Sequence, residues 1–446
     1  MMNIFLYLFS IIPFIFFFWF ALLSIFEKEI QASIRSFALA IIVPVILQAF
    51  AYIDIPLVNY IMVCLIFLVI LVLGLSFIPI QKHDRQTENS DFRIDERDTM
   101  FSRKEITQSP EKSATYYKAN PHNLRLDKVW QQKPGLMNPA SSMYHPLAFA
   151  AADASFFVIE ELKQSVQPEP AKTQIQKSNQ EFTSFIKTWS KKLGAVDVGI
   201  CKLKPQHLYS YRGRGKVYGE LVQNNHKYAI ALTVEMDKDY LATGPSAPTL
   251  MESAQQYLNS GSIALQLTKF IANLGYNARA HIDGNYEVVC PLVARDAGLG
   301  EIGRMGLLMT PNLGPRVRIA VVTTDIPLLV DERSYDHSVH DFCQICKKCA
   351  DVCPGKAIPF EPKKEIHGIK RWQINQERCF TYWCTSGTDC GRCMSVCPYS
   401  HPDNLLHNMV RWGIKHSWLF RYFALWMDDF FYGRKPKPKN QSPVNS

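Results

Sequence analysis

Apolar residues dominate the first 80 positions of the chain. Three stretches carry no charged residue and are each long enough to cross a bilayer as a helix, namely Ile4–Phe26, Ser36–Ile53 and Ile55–Ile80. The pattern predicts three transmembrane helices over residues 1–80, with a tight hairpin at Asp54. A cleaved signal peptide is the alternative for the first stretch, but no positive charge precedes it and the apolar run is too long.

Residues 81–180 show a different pattern, which is polar and irregular. The stretch Gln164–Asn179 is rich in Gln, Pro and Lys, as is typical of a linker. We therefore predict an extension and linker here, without catalytic residues.

Helical and strand patterns alternate after this extension. Apolar residues recur at helical spacing over Phe182–Leu193 and again over Ser253–Gly275, where glycine ends the pattern. Three β-rich runs lie at Val196–Leu203, Tyr228–Met236 and Ile319–Thr324. The alternation predicts a layered α/β or α+β domain over residues 181–335.

The length of the chain indicates how many domains it has, and its net charge limits the classes of partner that it could bind. A chain of 446 residues suggests two or three domains. Lys and Arg total 49 against 40 Asp and Glu, and this excess of +9 is too small to argue for nucleic acid. A membrane surface or an acidic partner is compatible with it.

The positive charges beside the apolar stretches predict an orientation. Lys28 and Arg35 lie between the first and second stretches, and Lys82 and Arg85 follow the third. Because cytoplasmic loops are enriched in Lys and Arg, both loops should be cytoplasmic. The N-terminus is then outside, and everything after about residue 80 is inside.

Nine of the 12 cysteines fall between Cys343 and Cys397, which is typical of a metal site in a reducing compartment. The run from Cys343 to Pro354 has the spacing C-x2-C-x2-C-x3-C-P of two-cluster ferredoxins, in which the fourth cysteine binds the other cluster. A zinc site is the alternative, but zinc takes four ligands and does not use this doubled spacing.

The second run supplies only three cysteines, because Gly387 occupies the first position and cannot bind iron. Cys379 and Cys384 are the nearby candidates for the missing ligand. The interpretation is a ferredoxin-like domain over residues 336–402 with two [4Fe-4S] clusters. One cluster takes Cys343, Cys346, Cys349 and Cys397, and the other takes Cys353, Cys390, Cys393 and one of the two candidates.

A glycine-rich segment matches G-x-G-x-x-G at Gly298–Gly303, but a helical turn precedes it where a dinucleotide site requires a strand. The segment Asp296–Arg318, continuing to Leu328, resembles the corrinoid-dependent reductive dehalogenases. The resemblance extends over most of the chain from residue 92 to residue 433. It takes in Phe92–Arg103, Tyr257, Phe270–Tyr276, Trp372–Cys379, both cysteine runs and Asp428–Gly433.

The resemblance implies an oxidoreductase with a vitamin-B12-binding, nitroreductase-like core, followed by the two-cluster domain and by a C-terminal extension with a basic tail over residues 403–446. It implies a base-off corrinoid without a protein ligand on its lower face. It favours Cys379 over Cys384 as the extra cluster ligand. The residues assigned to cofactor binding are Gly298, Gly300, Gly303, Arg304 and Gly306.

The same resemblance implies a catalytic tyrosine. Tyr257 matches the general acid of the family, with Arg316 or Arg318 as the cation beside it and Asn285 as an active-site amide. From the residues alone, Tyr257 is a ring on an amphipathic helix and Asn285 is a turn residue.

The expected substrate is an organohalide, and the electron donor is a ferredoxin, a flavodoxin or a quinol-linked reductase. The chain has no twin-arginine pair, so the cofactor domain is expected to stay on the cytoplasmic side of the membrane. Two alternatives are an epoxyqueuosine-reductase-like enzyme, which acts on transfer RNA, and a membrane-bound ferredoxin-type electron carrier. The three membrane spans and Tyr257 argue against the first, and the domain preceding the clusters argues against the second.

Overall fold

The computed structural model describes residues 2–53, 55–76, 91–333 and 335–440. The predicted hairpin at Asp54 and the positive charges at Lys82 and Arg85 lie outside these ranges. In chain order, the helices are α1 (Met2–Phe26), α2 (Ile30–Ile53), α3 (Pro56–Ser76), α4 (Met100–Ile106), α5 (Pro110–Ala119), α6 (Pro121–Gln131), α7 (Pro146–Leu162), α8 (Asn179–Lys192), α9 (Lys238–Ala242), α10 (Ala247–Asn273), α11 (Cys290–Asp296), α12 (His337–Cys346), α13 (Lys348–Val352), α14 (Gln376–Ser386), α15 (Arg392–Ser395), α16 (Leu405–His416) and α17 (Trp418–Tyr432).

The strands form a four-stranded antiparallel sheet in the order β1-β2-β6-β3 and two short hairpins, β4-β5 and β7-β8. They are β1 (Asp197–Lys202), β2 (Tyr228–Glu235), β3 (Ala278–His281), β4 (Glu301–Ile302), β5 (Leu308–Met309), β6 (Val317–Thr324), β7 (Lys364–Ile366) and β8 (Ile369–Arg371). The chain divides into two compact units. The first holds the described residues up to 76 together with 402–436, and the second holds 91–401 together with 437–440.

The first unit is built from α1, α2, α3, α16 and α17. Two segments, Leu6–Phe26 and Ile30–Tyr52, are long and apolar enough to cross a membrane. In α3, the apolar segment found among the described residues, Leu57–Leu68, is shorter. The buried Glu27 carboxylate contacts the His407 imidazole at 3.1 Å.

The four-stranded sheet supports the core of the second unit. Side chains alternate across a strand, so Ile230 and Leu232 face one layer while Ala229 and Ala231 face the other. The first layer packs on α8 and α10, and the second packs on α11. The predicted strands and helices are confirmed to within a few residues, except that α10 begins at Ala247, six positions before the predicted start.

The prediction of an irregular segment over residues 81–180 is wrong for the described part, because α4, α5, α6 and α7 lie there. Apart from α7, whose Ala148, Phe149 and Ala152 form a buried apolar face, these helices have a weak apolar pattern, and three of the four begin with proline, which is preorganised for a first turn. Tertiary contacts hold them instead. The buried Arg103 guanidinium donates to Asp127 at 2.9 Å and to Glu377 of α14 at 2.7 Å.

Candidate functional site

The first group of thiols gathers around a helix break. Cys346 ends α12, Lys347 has the left-handed φ of 57°, and α13 begins at the next residue. This turn brings Cys343, Cys346 and Cys349 to one side. Cys397, from the segment after α15, lies near these three thiols. Burial raises the pKa of its thiol, and the three neighbouring thiols raise it further.

The second group draws one thiol from each of four neighbouring segments. Burial raises the pKa of the Cys393 thiol to about 12, and the thiols of Cys379 and Cys353 act in the same direction. Burial also raises the pKa of Cys379 to about 12, with Cys353 and Cys390 again adding to it. Cys353, Cys379, Cys390 and Cys393 are therefore neighbours in the structure.

Cys384 lies apart from both groups. It follows Cys379 by five positions on α14, which places it on a different face of that helix. Its thiol packs with Met100, Trp130 and Phe380 and is 1% exposed. Its only charged neighbour that affects its pKa is Lys104.

The thiols of neither group are placed to bind a single metal ion. Across the described ranges, no three His, Cys, Asp or Glu side chains are placed to hold one metal ion. A cubane of four irons is larger than a single ion, so its thiolates stand farther apart.

A cavity of about 280 Å³ connects the second thiol group with a polar cluster. Much of its wall is apolar, and no histidine is among the described residues that line it. Tyr257, Arg318 and Asp389 line the same cavity as all four thiols of the second group. The apolar wall includes Met100, Phe101, Met236, Leu241, Met305 and Met394.

The polar cluster is centred on Arg318 of β6. Its guanidinium carbon lies 4.7 Å from the centre of the Tyr257 ring. Its Nη2 donates to an Asp389 carboxylate oxygen at 3.0 Å and also to the hydroxyl of Ser253. Ser253 and Tyr257 are four residues apart on α10, so one turn of helix presents both to the same guanidinium.

Burial sets the protonation of this cluster. It raises the pKa of Tyr257 to about 12, while the positive charge of Arg318 opposes the rise and the Asp283 and Asp389 carboxylates add to it. The Tyr257 phenol is therefore protonated at neutral pH and has a proton to give, and Arg318 is placed to stabilise the phenolate that would remain.

Two carboxylates in this region were not predicted from the sequence as site residues. Asp389 immediately precedes Cys390, and that adjacency was the available signal. Asp283 follows β3, where burial raises the pKa of its carboxyl and the cations Arg214, Lys163 and Arg318 lower it. Nothing in the local sequence pattern singled out Asp283.

Other predicted residues lie elsewhere. The Arg316 guanidinium donates to Glu235 at 2.6 Å and to the carbonyl oxygens of Met236 and Ser400, and is not among the residues lining the cavity. The Asn285 amide oxygen accepts from Arg212 at 2.7 Å and from Arg279 at 2.8 Å. The structure thus brings Arg318 to Tyr257 and holds Arg316 and Asn285 in other networks.

The predicted glycine-rich segment lies beside the first thiol group. None of its five predicted residues lines the 280 Å³ cavity, although Met305 and Leu307 of the same segment do. Arg304 donates to the Cys343 carbonyl oxygen at 3.0 Å and to that of Pro359 at 2.7 Å. Gly298 follows α11 with a positive φ of 80°, and a Cβ at Gly300 would lie 2.1 Å from the Met309 carbonyl oxygen. Gly303 and Gly306 line a second cavity.

Comparison with known proteins gives three findings. Residues 342–401 match the family of the 4Fe-4S dicluster domain. A tetrachloroethene reductive dehalogenase from Sulfurospirillum multivorans is 34% identical over 223 residues, which are 48% of this chain and 44% of that protein. An epoxyqueuosine reductase from Aliivibrio fischeri is 26% identical over 268 residues, which are 50% of this chain and 67% of that protein.

Solved structures give the same result for the fold. A catabolic reductive dehalogenase, NpRdhA, in complex with 3-bromo-4-hydroxybenzoic acid matches with a TM-score of 0.64 and 23% identity, over 82% of this chain and 55% of that chain. The chain spans between 35% and 51% of the length of the tetrachloroethene reductive dehalogenases that it matches. The resemblance predicted from the sequence is thereby confirmed: this chain has the fold of the reductive dehalogenases and carries a 4Fe-4S dicluster domain.

Proposed function

We propose that this protein is a reductive dehalogenase, which replaces the halogen of an organohalide with hydrogen. The reaction consumes two electrons and one proton and releases halide. One observation carries the proposal: the same cavity is lined by a half-buried tyrosine–arginine pair and by the second thiol group. A candidate proton donor and the thiols of a candidate electron-transfer cluster therefore line the same cavity.

The thiols support two [4Fe-4S] clusters with crossed fourth ligands. The first would be held by Cys343, Cys346, Cys349 and Cys397, and the second by Cys353, Cys379, Cys390 and Cys393. The grouping of Cys379 with three other thiols, and the apolar setting of Cys384, support this choice of ligand. Iron binding would deprotonate these thiols, because thiolate is the ligand form.

The cavity also suits a corrinoid. Its apolar wall would pack against one part of the corrin ring, because a volume of about 280 Å³ is too small for the whole cofactor. The Asp389 Oδ1 and Arg318 Nε that border it are buried without a hydrogen-bond partner within the described residues. When bound, such a cofactor would supply reducing power to the carbon–halogen bond.

The protein's own residues would supply the proton that the reaction consumes. Tyr257 would donate its phenolic hydrogen to the developing carbanion, and Arg318 would stabilise the phenolate. Asp389 and Ser253 hold the Arg318 guanidinium beside the ring. The apolar wall would exclude water, so that the proton comes from one fixed group.

Halide release from defined substrates tests this function. Anaerobically matured protein, supplied with a chemical reductant, should release halide from at least one member of a panel that includes tetrachloroethene and 3-bromo-4-hydroxybenzoic acid. One halide ion and one hydrogen-substituted product should form for every two electrons consumed. Fully loaded protein that releases no halide from any haloalkene, haloalkane or halophenol would contradict the proposal.

The alternatives make different predictions. An epoxyqueuosine-reductase-like enzyme would act on transfer RNA, and the Aliivibrio fischeri similarity is the observation in its favour. A simple electron carrier would have no use for a Tyr257–Arg318 pair beside its second cluster. Halide release would separate the proposed function from both.

We also propose that α1, α2 and α3 form a three-helix membrane anchor, with the cofactor-binding unit in the cytoplasm. Lys28, between α1 and α2, and Arg35, near the N-terminal end of α2, support this orientation. A cytoplasmic reporter fused after residue 82 should be active, whereas activity of a periplasmic reporter at that site would overturn the orientation.

A further inference from the structure

A second cavity lies in the cofactor-binding unit, away from the Tyr257 cluster. Its volume is about 210 Å³, and Ile374 is the residue that also lines the first cavity. Its wall combines Gly303 and Gly306 of the glycine-rich segment with residues of the β7-β8 hairpin, including Lys370 and Arg371.

The back of this cavity approaches the first thiol group. Gly303 lines the cavity, and a Cβ added there would lie 2.8 Å from the Met309 side chain and 3.6 Å from the Cys343 sulfur, so the cavity wall at Gly303 is close to that thiol. Arg304 joins the two regions, because it donates both to the Cys343 carbonyl oxygen at 3.0 Å and to the Glu361 carbonyl oxygen at 3.0 Å.

The cavity rim is aromatic and basic. The Lys363 ammonium lies 5.0 Å from the centre of the Trp372 ring, and both residues line the cavity. Arg304, whose guanidinium carbon lies 4.6 Å from the same ring centre, is fully buried and does not belong to the rim. Phe92 and His367 stack with ring centres 3.6 Å apart. Residues 356–371 contain five Lys and Arg against two Glu, and Lys364 and Lys370 project into solvent.

We propose that this basic cavity is the electron entry site, where an acidic, low-potential electron-carrier protein docks and reduces the first cluster. The proposal rests on the proposed function, since it needs the clusters. In each encounter the carrier is oxidised by one electron and the cluster is reduced by one, so two encounters supply one dehalogenation.

Three features favour an acidic protein as the occupant. The positive hairpin attracts a surface of opposite charge and would raise the rate of encounter. The aromatic rim offers a flat surface for the exposed edge of a partner's redox group. Cys343 is buried, and the cavity lets that group come closer to the thiol, which matters because electron transfer slows steeply with distance.

Reduction kinetics test the site independently of dehalogenation. Cluster bleaching by reduced flavodoxin, a small acidic flavoprotein, would be followed anaerobically by stopped flow at low and high salt. Lys364→Glu combined with Lys370→Glu should lower the second-order rate about tenfold at low salt, and the difference should shrink as salt rises. Glu365→Lys, which adds positive charge opposite Lys370 in the hairpin, should raise the rate.

Matched controls separate docking from folding. Lys191→Glu combined with Lys192→Glu, at the exposed end of α8, changes charge equally and should leave the rate unchanged. Reduction of every variant by the small mediator methyl viologen should match the parent, and iron and cobalt contents should be equal.

Each outcome decides the proposal. An unchanged flavodoxin rate in the hairpin variant, or an equal loss in the α8 control, would overturn the docking site. Loss of cobalt in the hairpin variant would assign the cavity to the corrinoid instead. Failure of the proposed function would be seen separately, as clusters that flavodoxin reduces normally in a protein that releases no halide.

Discussion

Replacing Tyr257 with phenylalanine should lower the rate of dehalogenation by about 10²- to 10⁴-fold, the usual cost of losing a positioned general acid. The substitution removes only the hydroxyl and keeps the ring beneath the Arg318 guanidinium, 4.7 Å from its carbon. Iron and cobalt contents should therefore stay at the parent level. Halide release under saturating substrate would measure the effect.

Tyr276 provides a matched control, because its ring is buried and its hydroxyl donates to the Ile175 carbonyl oxygen at 3.2 Å, in the core. Tyr276→Phe removes a similar hydroxyl and should leave turnover near the parent rate. A Tyr257→Phe rate within about threefold of the parent would mean that Tyr257 only packs, since that is far below the loss expected for an acid.

Replacing Cys379 with serine should remove the second cluster, whereas Cys384→Ser should leave both clusters intact. Cys379 lies among the thiols of Cys353, Cys390 and Cys393, while Cys384 packs in an apolar pocket of α14. Iron content should fall by about half in Cys379→Ser, because each cubane holds four irons. Iron analysis and low-temperature electron paramagnetic resonance would follow the loss.

Cys384→Ser is the matched control, since it makes the same change on the same helix. Equal losses of iron in both variants would contradict the ligand assignment. Loss of iron in Cys384→Ser alone would make Cys384 the cluster ligand and Cys379 the packing residue.

The sequence predicted the parts of the fold that depend on short-range patterns. Three strands of the main sheet, β1, β2 and β6, were predicted from β-rich runs such as Tyr228–Met236, in which successive side chains are apolar because they pack on opposite layers. The short strand β3, Ala278–His281, was not predicted. The iron–sulfur region was predicted from the spacing of its cysteines, which is visible in the sequence without any knowledge of packing. The third apolar stretch is helical over Pro56–Ser76, but its apolar segment among the described residues, Leu57–Leu68, is shorter than the membrane span that was predicted there.

Long-range contacts explain what the sequence did not predict. Helices α4 to α7 depend on partners far along the chain, such as Glu377 for Arg103 of α4, so local periodicity did not predict them. Asp389 reaches Arg318 across 71 positions, and no local pattern indicates that ion pair.

Tertiary structure also decides which of the two arginines contacts Tyr257. Arg316 precedes β6 and bonds to Glu235, whereas Arg318 lies within the strand and faces α10. The local sequence places a cation near the site but cannot assign its partner.

Cobalt and iron analysis of the full-length protein, matured anaerobically in a host that supplies corrinoid, tests the central claim most directly. If the 280 Å³ cavity holds one part of a corrinoid beside two clusters, the protein should contain about eight irons and one cobalt per chain. Protein that binds its full complement of iron but no cobalt would contradict the claim, and the electron-carrier alternative would then stand.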